Sequence, residues 1–148
     1  MIKRYVSRLQ DKSDALHCMI LSTSTHAFLL PSVAIAEIYS QPNTSAQNTC
    51  TWRDISIPFT SMERLLAQAD QERQFQHTAV LHRLNAVSAT EPSFWAIGLT
   101  ALPKVIRVEH GDLNVETDQQ IPNCIAVCIA EESLLIPDLQ VLESTLSL

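Results

Sequence analysis

Four cysteines and a scatter of histidines are the side chains of this 148-residue chain best suited to chemistry: Cys18, Cys50, Cys124 and Cys128, with His17, His77, His82 and His110. Thiolates and imidazoles together make zinc sites, but such sites draw ligands from close pairs such as C-x-x-C or a helical H-x-x-x-H. Neither spacing occurs. Cys124 and Cys128 fall four apart in NCIAVCIA, where the two-residue period of a strand puts both on one face. That alternation accounts for them as small buried hydrophobes, and no metal is expected. A disulfide framework is allowed by parity, yet the opening MIKRYVSRLQDKSD lacks the apolar run of a signal peptide, so the reading is reduced thiols in a cytoplasmic protein.

Catalysis needs a nucleophile or base with a positioned partner. His82, Asp112 or a cysteine could serve only from a dispersed site. No G-x-S-x-G, H-E-x-x-H, Walker lysine or G-x-G-x-x-G segment is present. With only Gly98 and Gly111 in the whole chain, a phosphate-cradling loop is hard to build. The expectation is therefore no enzyme, no cofactor, and a function carried by binding surfaces. Trp52 is one candidate, either as an interface anchor or as a plug with its indole N–H satisfied. Trp95, inside SFWAIGL, reads as core.

Bulk properties narrow the partners. The net charge of −6, with ten Lys and Arg that nowhere cluster, argues against a surface that tracks phosphates, so nucleic acid is not expected. The longest apolar runs are interrupted by Pro31, Glu37 or Pro103 and fall short of a membrane span. An apolar content of 46% in a chain of this length fits one packed domain, taken as residues 15–148 behind an extension of residues 1–14.

The elements that must position these residues are mostly short strands. ALHCMILST (15–23) and the run from His26 to Ser40 are expected to pair through a Ser24-Thr25 turn, with Pro31 marking a bulge or edge position. Ile55, Ile57 and Phe59 alternate with Asp54, Ser56 and Pro58, the period of a half-buried strand. Ser61 then caps a helix with Met62, Leu65, Leu66 and Ala69 on one face, Glu63 in its first turn and an end in QADQERQ. HTAVLHRLNAV (77–87), SFWAIGLTAL (93–102), KVIRV (104–108) and NCIAVCIAEESLLIP (123–137) read as further strands, the last divided by a Glu131-Glu132 turn. Pro137 suits the first position of a closing helix with Leu139, Leu142 and Leu146 on one stripe.

One segment is more specific. Ala34, Glu37 and Ile38, followed by Arg53, Ile57, Pro58, Phe59 and Met62, lie close to an A-x-E-[IV] strand and an R-G-x-x-[IV]-P-[IV]-x-x-[LM] segment, with one extra residue between Ala34 and Glu37, Asp54 in place of the glycine and Phe59 in place of Ile or Val. The pattern resembles the first half of CheW-like domains, the adaptor modules of bacterial chemosensory arrays. Ala79-Val80-Leu81, Gly98-Leu99, Val105, Val108, Leu113, Leu134-Leu135-Ile136, Leu139 and Leu142 are similar to the second half, so the likeness runs from Leu16 to Leu146. Thr100 to Leu102 departs from the usual turn, and the scarcity of glycine requires turns built from Asn, Asp or Ser, or longer ones.

The resemblance implies a mostly β fold of two five-stranded, SH3-like barrels around a shared core, with short helices. It also implies a non-enzymatic adaptor that couples the cytoplasmic tip of a chemoreceptor to the regulatory domain of a CheA-type histidine kinase, monomeric or weakly oligomeric alone. By the same carry-over Arg53 lies at the groove that accepts the receptor's helical hairpin, Glu37 pairs with Arg53, and Ile35, Ile38 and Ala79 line the groove. The glycine-poor version is similar to the divergent ChpC-type adaptors of pilus systems that control twitching. The other class compatible with the residues is a small β-barrel ligand-binding or regulatory module.

Overall fold

Residues 15–44, 46–66, 73–85, 88–109, 111–118 and 120–146 are described by the computed structural model. Expectations for residues 1–14, for Ala69 and most of QADQERQ, and for His110 lie outside the described residues. Strands β1 (Leu16–Ser22) and β2 (Ala27–Pro31) form the expected hairpin, closed by a Thr23 N–H to His26 carbonyl bond of 2.9 Å. After Pro31 a single 3-10 turn, Ser32–Ala34, carries the chain into β3 (Ile35–Tyr39). Pro31 thus ends one strand and begins a crossing to a second sheet.

Then come β4 (Asn43–Thr44), β5 (Thr49–Trp52), β6 (Ile55–Thr60), β7 (Gln74–Phe75), β8 (His77–His82), β9 (Phe94–Leu99), β10 (Lys104–Val108), β11 (Asn114–Val115), β12 (Cys124–Ile129) and β13 (Glu132–Pro137). Two short helices complete the order, α1 (Met62–Leu65) and α2 (Leu139–Glu143).

The strands sort into two curled sheets. The first, β10-β1-β2-β13-β12-β11, joins the beginning of the chain to its end; the second, β3-β8-β9-β6-β5, is built from the middle, with β4 and β7 as a separate ribbon. The first sheet has six strands rather than five because the two-residue β11 is added at its edge. Each barrel has its own interior. Cys18, Ile20, Leu29, Val127 and Leu134 fill the first, and Cys50, Trp52, Ile57, Phe59, Phe75 and Val80 fill the second. Between them lies a shared core of Phe28, Leu30, Leu135, Ala79, Leu81, Trp95 and Ile97, with Met62 and Leu66 near α1 and Leu139 and Leu142 on α2.

Three cores explain why several strands read as continuous apolar runs. In AFLLP, Leu29 faces its own barrel while Phe28 and Leu30 face the junction. Burial on both faces also changes β6: Ile57, Pro58, Phe59 and Thr60 are all buried, while Ile55, expected on the core face, is 43% exposed. Burying both faces leaves little room for polar alternation.

Local chemistry sets the element ends. Ser61 caps α1 as expected, its Oγ accepting the Arg64 N–H at 3.1 Å, but α1 ends after four residues. Pro137 closes β13 instead of opening the helix, and Asp138 is the cap of α2, accepting the Val141 N–H at 3.3 Å. The β12–β13 turn falls at Ala130 and Glu131, both in the left-handed region (φ 49° and 67°), one residue earlier than expected; Glu132 already belongs to the strand. Arg53, Asp54 and Asn123 also hold positive φ without being glycine. Gly98 is required for another reason: a Cβ on it would meet the enclosed Phe75 ring at 2.2 Å.

Glu143 ties the two halves together. Its buried carboxylate accepts the backbone N–H of Leu84 at 2.8 Å and that of Asn85 at 3.3 Å, and the buried Arg83 guanidinium stands 3.7 Å away. Asn85 Nδ2 also donates to the Gln140 carbonyl at 2.9 Å. The helix that follows β13 of the first barrel is thereby fixed to the exit of β8 in the second.

Candidate binding site at the seam of the second barrel

Strands β3 and β5 are the two edges of the five-stranded sheet, with no backbone pairing between them. Side chains close the gap. Trp52 donates its indole N–H to Glu37 Oε2 at 2.8 Å, and Arg53 Nη2 lies 3.2 Å from Glu37 Oε1 as a hydrogen-bonded ion pair. One carboxylate on β3 thus holds two consecutive residues at the end of β5. Further along the seam the Tyr39 hydroxyl approaches Cys50 Sγ at 3.9 Å.

The position of Arg53 follows from the turn. Trp52 and Ile55 are cross-strand partners, so Arg53 and Asp54 form a two-residue hairpin loop, with φ of 50° and 63°. Consecutive left-handed residues match the twist of a tight β-hairpin, where Asn and Gly are the usual occupants. Asp54 thus occupies the position of the missing glycine in the conformation that glycine would supply, and aspartate tolerates it better than most residues. The Arg53 guanidinium sits 4.8 Å from the Trp52 ring centroid, within cation–π range.

Electrostatics agree with the geometry. The Trp52 N–H, and after it the Arg53 guanidinium, holds the Glu37 carboxyl below its ordinary pKa. Glu37 therefore stays an anion and an acceptor at neutral pH. Exposure separates the partners: Trp52 is 7% exposed, whereas the side chains of Arg53 and Glu37 are 68% and 38% exposed. Trp52 is accordingly the plug of the barrel mouth, its ring tilted against that of Phe94 with centroids 4.7 Å apart, and Arg53 is the group left facing solvent.

The remaining sequence candidates divide. A β-bulge at Ala36, opposite the Leu81–Val80 step, turns both Ile35 and Ile38 to the junction side, where they are half-buried against the shared core. Ala79 is a correction. It pairs with Ile38, but none of its surface is exposed, so it belongs to the core and cannot touch a partner. Trp95 is fully buried, as expected, although its indole N–H finds no acceptor among the described residues.

Three further apolar residues lie outside the site that the resemblance implies. Val33, in the 3-10 turn just before β3, is 84% exposed. Met19 packs at the margin of the shared core, and its cross-strand partner Val105 is 69% exposed. Val105 and Val108 fall three apart in KVIRV and so face oppositely, and nothing in the sequence tells which of them is left uncovered. None of the four cysteines is in a disulfide. Burial raises the thiol pKa of Cys50 and pushes that of Cys124 up to about 12, the latter with help from the Asp138 charge, so neither is an activated nucleophile.

Two curled sheets about a shared core, with an arginine-bearing seam on one of them, define a CheW-like fold. No family model matches the sequence, and no curated protein sequence matches it. Among solved structures the chain is similar to the scaffolding protein TtCheW from Thermoanaerobacter tengcongensis, with a TM-score of 0.64 at 10% identity over 87% of this chain and 92% of that one. Among the described residues no helix is long and apolar enough to cross a membrane.

Proposed function

We propose that this protein is a non-enzymatic adaptor of a bacterial chemosensory array, coupling the cytoplasmic tip of a chemoreceptor to the regulatory domain of a CheA-type histidine kinase. The observation that carries the reading is the extent of the structural match, which takes in both barrels and 92% of a protein described as a scaffold. The seam supports it, because Arg53 is exposed yet held by Glu37 and Trp52, and so offers a guanidinium already oriented toward solvent. Preorganised donors lose less freedom on binding.

In this reading a receptor helix lies along the junction, its apolar face on Ile35, Ile38, Val33 and Val105, with its carboxylates or carbonyls on Arg53. Residues 15–148 act as one binding domain. The protein works in the cytoplasm as a monomer or weak oligomer. Turns made by Arg53-Asp54 and Ala130-Glu131 in place of glycine favour a divergent adaptor of the pilus type over a flagellar one.

Affinity capture on the tagged full chain tests the proposal. Kinase or chemoreceptor peptides in the eluate are the expected result at both low and physiological salt. Their absence at both would contradict it.

A further inference from the structure

All Lys and Arg residues lie between Lys3 and Arg107, so the chain beyond Arg107 holds eight of the sixteen carboxylates and no Lys or Arg. Four of those eight have local partners or structural duties. Glu143 clamps the two barrels, Asp138 caps α2, Glu109 pairs with Arg107 at 3.3 Å, and Asp112 accepts the Glu109 N–H at 2.8 Å. Glu116, Asp118, Glu131 and Glu132 form no ion pair among the described residues. Glu116 instead accepts the Ser133 hydroxyl at 3.0 Å, which brings it beside the start of β13, next in the chain to Glu132 and Glu131.

Glu116 and the Glu131-Glu132 tip stand beside an open sheet edge. Asn114 and Val115 of β11 pair with Cys128 and Val127 on one side only, and β11 is the last strand of the six-stranded sheet. Both residues are exposed, Val115 by 44%. Where β11 ends, an open groove of about 540 Å³ runs along β12, with Ile121, Pro122, Cys124 and Ile125 among its lining and Glu116 at its rim. An edge offers backbone donors and acceptors, the groove offers apolar contact, and the rim carries a single sign of charge.

We propose that this edge and groove dock an extended cationic segment of a partner protein by strand addition. Alternate side chains of such a segment point to opposite faces, so apolar residues would enter the groove while Lys or Arg meet Glu116 and the Glu131-Glu132 tip. Charge fixes the occupant. A nucleic acid or an acidic peptide would bring like charge to the carboxylates, and edge-to-edge pairing with a second copy would oppose two identical acidic edges. The surface is separate from the Arg53 seam, and the inference does not depend on the adaptor reading.

Fluorescence anisotropy of the full chain with a short labelled peptide alternating valine and lysine tests this, a valine–glutamate peptide serving as control. The lysine peptide should bind saturably and the glutamate peptide should not. The double variant Glu116→Lys/Glu132→Lys should weaken binding by about tenfold or more, while Glu91→Lys, exposed on the other barrel, should leave it unchanged. Circular dichroism checks folding; should the double variant unfold, Asp118→Lys/Glu131→Lys, at two exposed positions, makes the same measurement. Failure of the lysine peptide to bind would overturn the proposal and leave the carboxylates as guards against edge-to-edge aggregation. Binding indifferent to the reversed charges, or self-association abolished by them, would overturn it as well.

Discussion

Replacing Gly98 with alanine probes how the second barrel is packed. Gly98 lies in β9, an interior strand, opposite Thr78 of β8, and the Phe75 ring occupies the space a side chain would need. The new Cβ would meet ring carbons at 2.2 Å, against an ordinary contact that begins at 3.4 Å. Phe75 is fully enclosed and packs edge-on against Phe59 at 6.3 Å, so the ring has nowhere to retreat. Overpacking of this kind costs about 1–3 kcal/mol, and a clash this deep belongs at about 3. Alanine returns roughly 0.5–1 kcal/mol by restricting the unfolded chain. The net loss is about 2 kcal/mol, or a fall of roughly 4–8 °C in Tm for a domain of this size. Urea and thermal unfolding of Gly98→Ala, Phe75→Leu and the double variant measure it. Because the two positions share one space, the double variant should be more stable than the sum of the single losses by about 1 kcal/mol or more. A Gly98→Ala protein within about 0.5 kcal/mol of the parent, or strict additivity, would refute the packing argument.

Other expectations follow from the buried charge, the thiols and the seam. Glu143→Gln keeps the shape of the side chain but leaves the buried Arg83 uncompensated, and should destabilise the protein by about 3 kcal/mol in urea titration. A loss under about 1 kcal/mol would mean that Arg83 does not rely on this carboxylate. Cys124 and Tyr39, pushed from 9.0 and 10.0 up to about 12, release protons more readily when unfolded. Stability should therefore be fully present below pH 9 and fall as pH rises from 9 toward 12; a flat urea midpoint across that window would contradict the burial. Cys124 should also react slowly with an alkylating reagent near neutral pH until denaturant is added, and immediate modification would argue against it. Arg53→Ala should change folding stability by no more than about 1 kcal/mol, since the ion pair is largely exposed, yet weaken receptor-fragment binding by about 2 kcal/mol. Unchanged binding would remove Arg53 from the site.

The long strands were legible because each carries enough residues to show a period or a sustained apolar run. KVIRV matches β10 from end to end, and the hairpin through Ser24-Thr25 was placed by its turn residues. The strands that were missed, β4, β7 and β11, have two residues each, too few for any period, and β5 spreads its inward residues Cys50 and Trp52 through a polar stretch. Pro137 fits the end of a buried strand as well as the start of a helix, and only the pairing with Cys124 decides between them. Of the candidate site, the Glu37–Arg53 pair was legible from the motif. The indole bond from Trp52 to the same carboxylate was not, because nothing local in the sequence brings β3 and β5 together as facing edges. Ala79 was misplaced for a related reason: alternation gives the face of a strand, but whether that face meets solvent or another barrel depends on the partner sheet.

In the proposed function this protein bridges two partners. Size-exclusion chromatography with light scattering on the purified full chain, a chemoreceptor cytoplasmic fragment and a CheA-type regulatory domain tests it directly. Each partner should bind alone and all three should migrate together, with Arg53→Ala losing the receptor fragment while retaining the kinase domain. A folded protein that binds neither, or that releases one partner whenever the other is added, would contradict it.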